Sequence, residues 1–117
     1  MHQRALEAQV KLLGYEHPDT LSSISNLGLV LDKQGKHEEA EAMHRRALQG
    51  KQKVLGRDHP STLGSVSHLG SVLSSQCNYE EAEAMYRQAL EGHKRVFGCE
   101  NPHTLNSVIN LSILLFR

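Results

Sequence analysis

Apolar residues recur along the chain at the spacing of helix faces. Leu21, Ile24, Leu27 and Leu31, with Val30 beside them, form one stripe; Leu63, Val66, Leu69, Val72 and Leu73 form another. Between them, Ala40, Met43, Ala47, Leu48, Val54 and Leu55 make a third face, flanked by Glu38, Glu39 and Glu41 at its start and by Lys51 and Lys53 at its end. That order of charge suits the helix dipole, and Glu41 to Arg45 and Glu83 to Arg87 are i,i+4 pairs. Pro18, Pro60 and Pro102 suit a first helical turn, where their missing N–H costs nothing. The pattern predicts six helices: Met1 to about Leu13, Pro18 to about Gln34, about His37 to Leu55, Pro60 to Gln76, Tyr79 to Phe97, and Pro102 to Phe116. Connections of two to five residues make successive helices antiparallel neighbours.

The elements repeat. Glu38 to Leu48, EEAEAMHRRAL, returns at Glu80 to Leu90 as EEAEAMYRQAL, and its tail opens the chain as Met1 to Leu6. His17-Pro18-Asp19-Thr20-Leu21 returns at His59 and, with Asn in front, at Asn101. Residues 17–58 and 59–100 agree at 23 of 42 positions without a gap, so one structural unit is stacked on copies of itself. The frame is a partial repeat at 1–16, repeats at 17–58 and 59–100, and a partial repeat at 101–117. Gly28 and Gly70 share a phase inside the first helix of the unit, which implies close approach by a neighbouring helix; Gly50 and Gly92, inside the second, imply a bend or a close contact.

The unit Asn26-Leu27-Gly28 … Gly35 … Ala40 … Ala47, matched by Leu69-Gly70 … Ala82 … Ala89, resembles the tetratricopeptide repeat. A 42-residue unit with HP-x-T-L before its first helix is similar to the kinesin light chain type, and to the C-terminal arrays of large fungal nucleotide-binding receptor-like proteins. It departs from the commoner 34-residue unit in having Ile24, Val66 and Val108 in place of a large aromatic, and in lacking the closing proline. The resemblance implies an all-α, α-α superhelix whose first helices, one per unit, line a concave face that grips extended peptides. On that face it places Asn26, His68 and Asn110, with Ser22, Ser25, Leu29, Lys33, Ser67, Ser71 and Asn106 around them. An amide can both donate to and accept from a peptide backbone. The face lacks a lysine and arginine cluster, so an acidic C-terminal tail is not the expected ligand.

Charge narrows the partners. Thirteen basic and 13 acidic residues cancel, which disfavours nucleic acid or an anionic membrane, and no apolar run approaches a membrane span. The expected partner is a protein or peptide, and the expected location cytoplasmic. Eight histidines include no H-x3-H pair and no cysteine cluster, so no metal or other cofactor is expected. His17, His59 and Asn101 precede prolines and read as caps; His37 and His44 share phases with Tyr79 and Tyr86 and read as packing positions. Cys77 and Cys99 fall at unrelated phases and read as unpaired thiols. No nucleophile elbow or phosphate loop appears, so catalysis is not expected. The apolar last helix, rich in Leu111, Ile113, Leu114, Leu115 and Phe116, suits a helix that expects a further partner. The chain therefore carries a second reading, as a spacer or head-to-tail self-assembly element.

Overall fold

The computed structural model describes residues 18–116. Within them the chain is an all-α, TPR-like array of five helices: α1 (Pro18–Lys33), α2 (His37–Leu55), α3 (Pro60–Ser75), α4 (Tyr79–Phe97) and α5 (Pro102–Leu115). The six expected helices are thus five among the described residues; the one expected at Met1 to about Leu13, the loop to His17 and its cap lie outside them. The described residues form a stack 41 × 30 × 19 Å across, in which each helix packs on the next and α1 also meets α3.

Each start and stop has a local cause. His59 Nδ1 accepts from the Ser61 N–H at 3.1 Å, and Asn101 Oδ1 accepts from the His103 N–H at 2.9 Å, so both residues cap the helix that their proline opens. α1 ends in a tight turn. Gly35 stands at φ +83°, its N–H bonding the Asp32 carbonyl, while the Lys36 N–H bonds that of Leu31. Cys77 holds the same turn at φ +64°, an unusual conformation for a side-chain-bearing residue, costing roughly 1 kcal/mol. Glu41 accepts from Arg45 Nε at 2.8 Å and Glu83 from Arg87 Nε at 2.9 Å, as the i,i+4 spacing predicts.

The core runs in two linked clusters. Leu21, Ile24, Leu27 and Leu31 of α1 meet Ala40 and Ala47 of α2, and Val66, Leu69 and Leu73 of α3 meet Ala82, Tyr86 and Ala89 of α4. The alanines let the helix axes approach, and the two glycine phases do so further. A Cβ on Gly28 would lie 2.8 Å from the His44 ring, and one on Gly92 would lie 2.3 Å from Leu63 Cδ2. Close contact is therefore what Gly50 and Gly92 serve. The buried stripe of α2 is Ala40, His44, Ala47, Leu48 and Lys51, which corrects the sequence expectation twice. Val54, expected inside, is exposed, as is Val96 one repeat later. At 19 residues, α2 and α4 outlast their 16-residue neighbours by about one turn, leaving the last turn uncovered. Lys51, read from the sequence only as a helix-end charge flanking the apolar face, is buried within it.

The helices α2 and α4 run the same way. Their starts carry Glu38, Glu39, Glu41, Glu80, Glu81 and Glu83 along one edge, and their ends carry Lys53, Lys94 and Arg95 along the other. Arg45 bridges Glu41 to Glu81 of the next repeat; its guanidinium holds the Glu41 carboxyl below the usual carboxylate range, and hydrogen bonds to Glu81 and Glu41 hold Arg45 more firmly charged.

Candidate functional site

Helices α3 and α5 stand apart above α4, and between them opens a cavity of about 350 Å³. Its walls are Ser67, His68 and Ser71 from α3, facing Asn106 and Asn110 from α5. One helical turn separates Ser67 from Ser71 and Asn106 from Asn110, so each wall presents two polar groups in a row. Half of the ten residues expected on the concave face thus meet in one cleft. The other five belong to α1, outside it: Ser22, Asn26 and Lys33 are exposed and Leu29 is half-buried. Ser25, expected as a surface group, is 5% exposed and lies between α1 and α3.

The floor of the cleft comes from α4, through Tyr86, His93 and Phe97. His93 Nδ1 lies 2.6 Å from Ser107 Oγ, which fixes the ring beneath α5. The rings of His93, Phe97 and His103 pack together, with Phe97 and His103 stacked 4.9 Å apart. The Tyr86 hydroxyl bonds Ser71. None of the described side chains lining the cleft carries a formal charge when its histidines are neutral, and burial lowers the pKa of both His68 and His93. The site is a neutral polar slot with a flat, partly aromatic base.

One repeat earlier, between α1 and α3, a hydrogen-bonded lysine takes the equivalent floor position. Lys51 stands where α4 has His93, and its Nζ donates to Ser65 Oγ at 3.0 Å and to Ser25 Oγ at 3.3 Å. Burial lowers the pKa of this ammonium. His44 stands where α4 has Tyr86, fully buried, its ring 5.5 Å from that of His68 and neither nitrogen hydrogen-bonded among the described residues. Burial foremost, then the neighbouring His68, holds its pKa down to about 4. One geometry thus carries a lysine bridge between α1 and α3 in one repeat and a neutral cleft between α3 and α5 in the next.

Sequence reasoning missed Tyr86, His93, Phe97 and His103. Their signal was present, since His93 is the phase mate of Lys51, but helix-face patterns mark such positions as inward without saying that the inside opens between α3 and α5. Among the described residues no group of three or more His, Cys, Asp or Glu is placed to hold a metal. Among the same residues no helix is long and apolar enough to cross a membrane. Cys77 and Cys99 are free and exposed.

The chain matches the tetratricopeptide repeat family model over residues 1–53, 26–91 and 58–117. No curated protein matches it. Among solved structures, BtubC (BKLC) of P. vanneervenii superposes with a TM-score of 0.90 at 21% identity, over 98% of this chain and 46% of that one. Two structures of nearly identical TPR-like repeats, from a kinesin-light-chain-like protein of the fungus Podospora anserina, superpose with TM-scores of 0.90 at 25% identity. They cover 97% of this chain and 53% and 54% of theirs. The chain thus spans about half the length of the solved structures it matches.

Proposed function

Since the chain belongs to the tetratricopeptide repeat family, we propose that it is a non-catalytic, cytoplasmic protein-interaction module that holds an extended, uncharged stretch of a partner protein between α3 and α5. The observation that carries this reading is the cleft itself, where Ser67, His68 and Ser71 face Asn106 and Asn110 over a flat base. Amides and hydroxyls in rows match the alternating N–H and C=O groups of an extended backbone. A charged side chain would be desolvated there without a partner, which selects against acidic and basic segments. Asn26, Ser22, Leu29 and Lys33 continue the same face on α1, and the repeat frame 17–58 and 59–100 sets their spacing.

A peptide selected from a random display library on the wild-type chain is the probe. Asn110→Ala and Asn106→Ala should each weaken its binding about tenfold, roughly 1.4 kcal/mol, with Tm unchanged because Asn106 is exposed and Asn110 half-buried. Asn26→Ala should weaken it less. Equal affinity for all four proteins by calorimetry would defeat the reading.

One observation favours the second reading, a spacer or self-assembly element: α5 leaves Leu105, Val108, Ile109, Ile113, Leu115 and Phe116 exposed. In that case the solution mass grows with concentration, and light scattering reads it directly.

A further inference from the structure

The two ends of the cleft differ. α3 and α5 start where α4 ends, so Pro60, Gly64 and His103 lie toward the same end of it as Phe97. That end is made of rings and bare backbone, and the hydroxyls and amides of Ser67, Ser71, Asn106 and Asn110 follow along the walls. Pro60 and His103 are exposed and Phe97 is half-buried, with the Phe97 and His103 rings stacked at an interplanar angle of 29°.

Gly64 is a gap in the α3 wall. Its phase mates are Ser22 in α1 and Asn106 in α5, so this phase asks for glycine in neither of the other helices. Gly28, Gly50, Gly70 and Gly92 each have a ring or a leucine pressed into the space of the missing side chain, whereas a Cβ on Gly64 would meet nothing within 4 Å. Glycine weakens a helix interior, and no contact among the described residues requires it here. It leaves a notch, one side chain deep, beside the ring surface.

Hydrogen bonding narrows what fits the notch. Pro60, Gly64 and Phe97 bring no side-chain acceptor, and His93 Nδ1 is engaged by Ser107 Oγ. A peptide N–H set against them leaves water with only the His103 ring to accept it, which weakens binding. Proline has no N–H to leave unpaired, and its compact, stiff ring suits a notch one side chain deep against aromatic faces. From the notch, the stacked rings and the shortage of acceptors we infer, resting on the cleft reading proposed above, that Gly64, Phe97 and His103 form a subsite for a proline side chain of the held segment. Gly64 to Ser71 is two helical turns, about 10 Å, which an extended segment covers in about three residues. The proline therefore stands about three residues from the position held by Ser71 and Asn110.

Gly64→Leu fills the notch with a good helix former, and the peptide selection is run on it beside the wild-type chain. Peptides selected on the wild type should share a proline at one position, and those selected on Gly64→Leu should not. By calorimetry, replacing that proline with Ala should weaken binding to the wild type about tenfold and leave binding to Gly64→Leu unchanged. Gly64→Leu itself should bind the proline peptide about tenfold more weakly than the wild type does, with Tm no lower, and Gly64→Ala, which fills the notch in part, should lose less. An aromatic or aliphatic residue shared in place of the proline overturns the inference, as does an equal loss in both proteins when the proline is replaced. If Asn106→Ala and Asn110→Ala weaken binding while neither Gly64 variant does, the proline subsite falls and the cleft reading stands. If both asparagine variants bind as the wild type does, the cleft reading falls and takes the subsite with it.

Discussion

His44 shows how a single side chain couples packing to protonation. It fills the gap over Gly28 with a flat ring and leaves both nitrogens without hydrogen bonds among the described residues, so its neutral form is the one the fold accommodates. Its pKa near 4 lies below the ordinary 6.5. A group whose pKa is depressed by folding contributes in full above its unfolded pKa and loses that contribution as pH falls toward the folded value. Stability should therefore fall between about pH 6.5 and pH 4, by roughly 3 kcal/mol from this residue. Urea midpoints across the upper part of that window, above the range where carboxylates titrate, should slope in the wild type and slope less in His44→Phe, where His68 and His93, also lowered by burial, still contribute with the same sign. Lys51 adds to the effect by opposing a second positive charge nearby, as does His68 once protonated.

The helix is the scale at which glycine changes meaning. Gly64 lies inside α3 with nothing within 4 Å of a Cβ placed there, so Gly64→Ala keeps the packing and should gain about 0.5–1 kcal/mol from helix propensity and the unfolded chain. Gly92 lies inside α4 against Leu63, so Gly92→Ala gains the same propensity but forces a 1% exposed core leucine aside, and should lose about 1–3 kcal/mol net. Denaturant unfolding of the two variants should give shifts of opposite sign. This distinction was only half legible in the sequence. The period announced that Gly50 and Gly92 had a shared reason, and the helix bounds came out within a residue because proline, Asn101 and His59 mark starts that side-chain caps then satisfy. What α2 and α4 do with their inward polar residues was not legible. Lys51 carries a charge at a helix end, where surface and core readings look alike, and its burial depends on Ser25 and Ser65, which come from two other helices. The α5 wall of the cleft was read from phase alone, whereas its floor of His93 and Phe97 becomes visible only when α3 and α5 are set side by side.

For the molecule as a whole, stability is a sum over neighbours, because each helix touches little beyond the next one along. Helices α3 and α4 each have packed partners on both sides, whereas α5 packs mainly on α4 among the described helices and leaves much of its apolar surface in water. Amide exchange should accordingly be slowest in the centres of α3 and α4 and fastest in α5, with α5 opening at a lower free energy than the rest. Uniform protection across α3, α4 and α5 in native-state exchange would mean that the stack opens as one unit. The edges of the stack carry a different consequence. Thirteen positive and 13 negative groups cancel on the chain, but the starts of α2 and α4 gather six glutamates on one edge, against Lys33, Lys36 and Arg45 nearby, while on the other Lys53, Lys94 and Arg95 stand with Asp58 and Glu91. A molecule without net charge is therefore still electrically lopsided. In dilute buffer its acidic edge is drawn to the basic edge of a neighbour across a long screening distance, and added salt shortens that reach. Its solubility thus increases with moderate ionic strength, the salting-in behaviour of a dipole rather than the indifference of a neutral sphere.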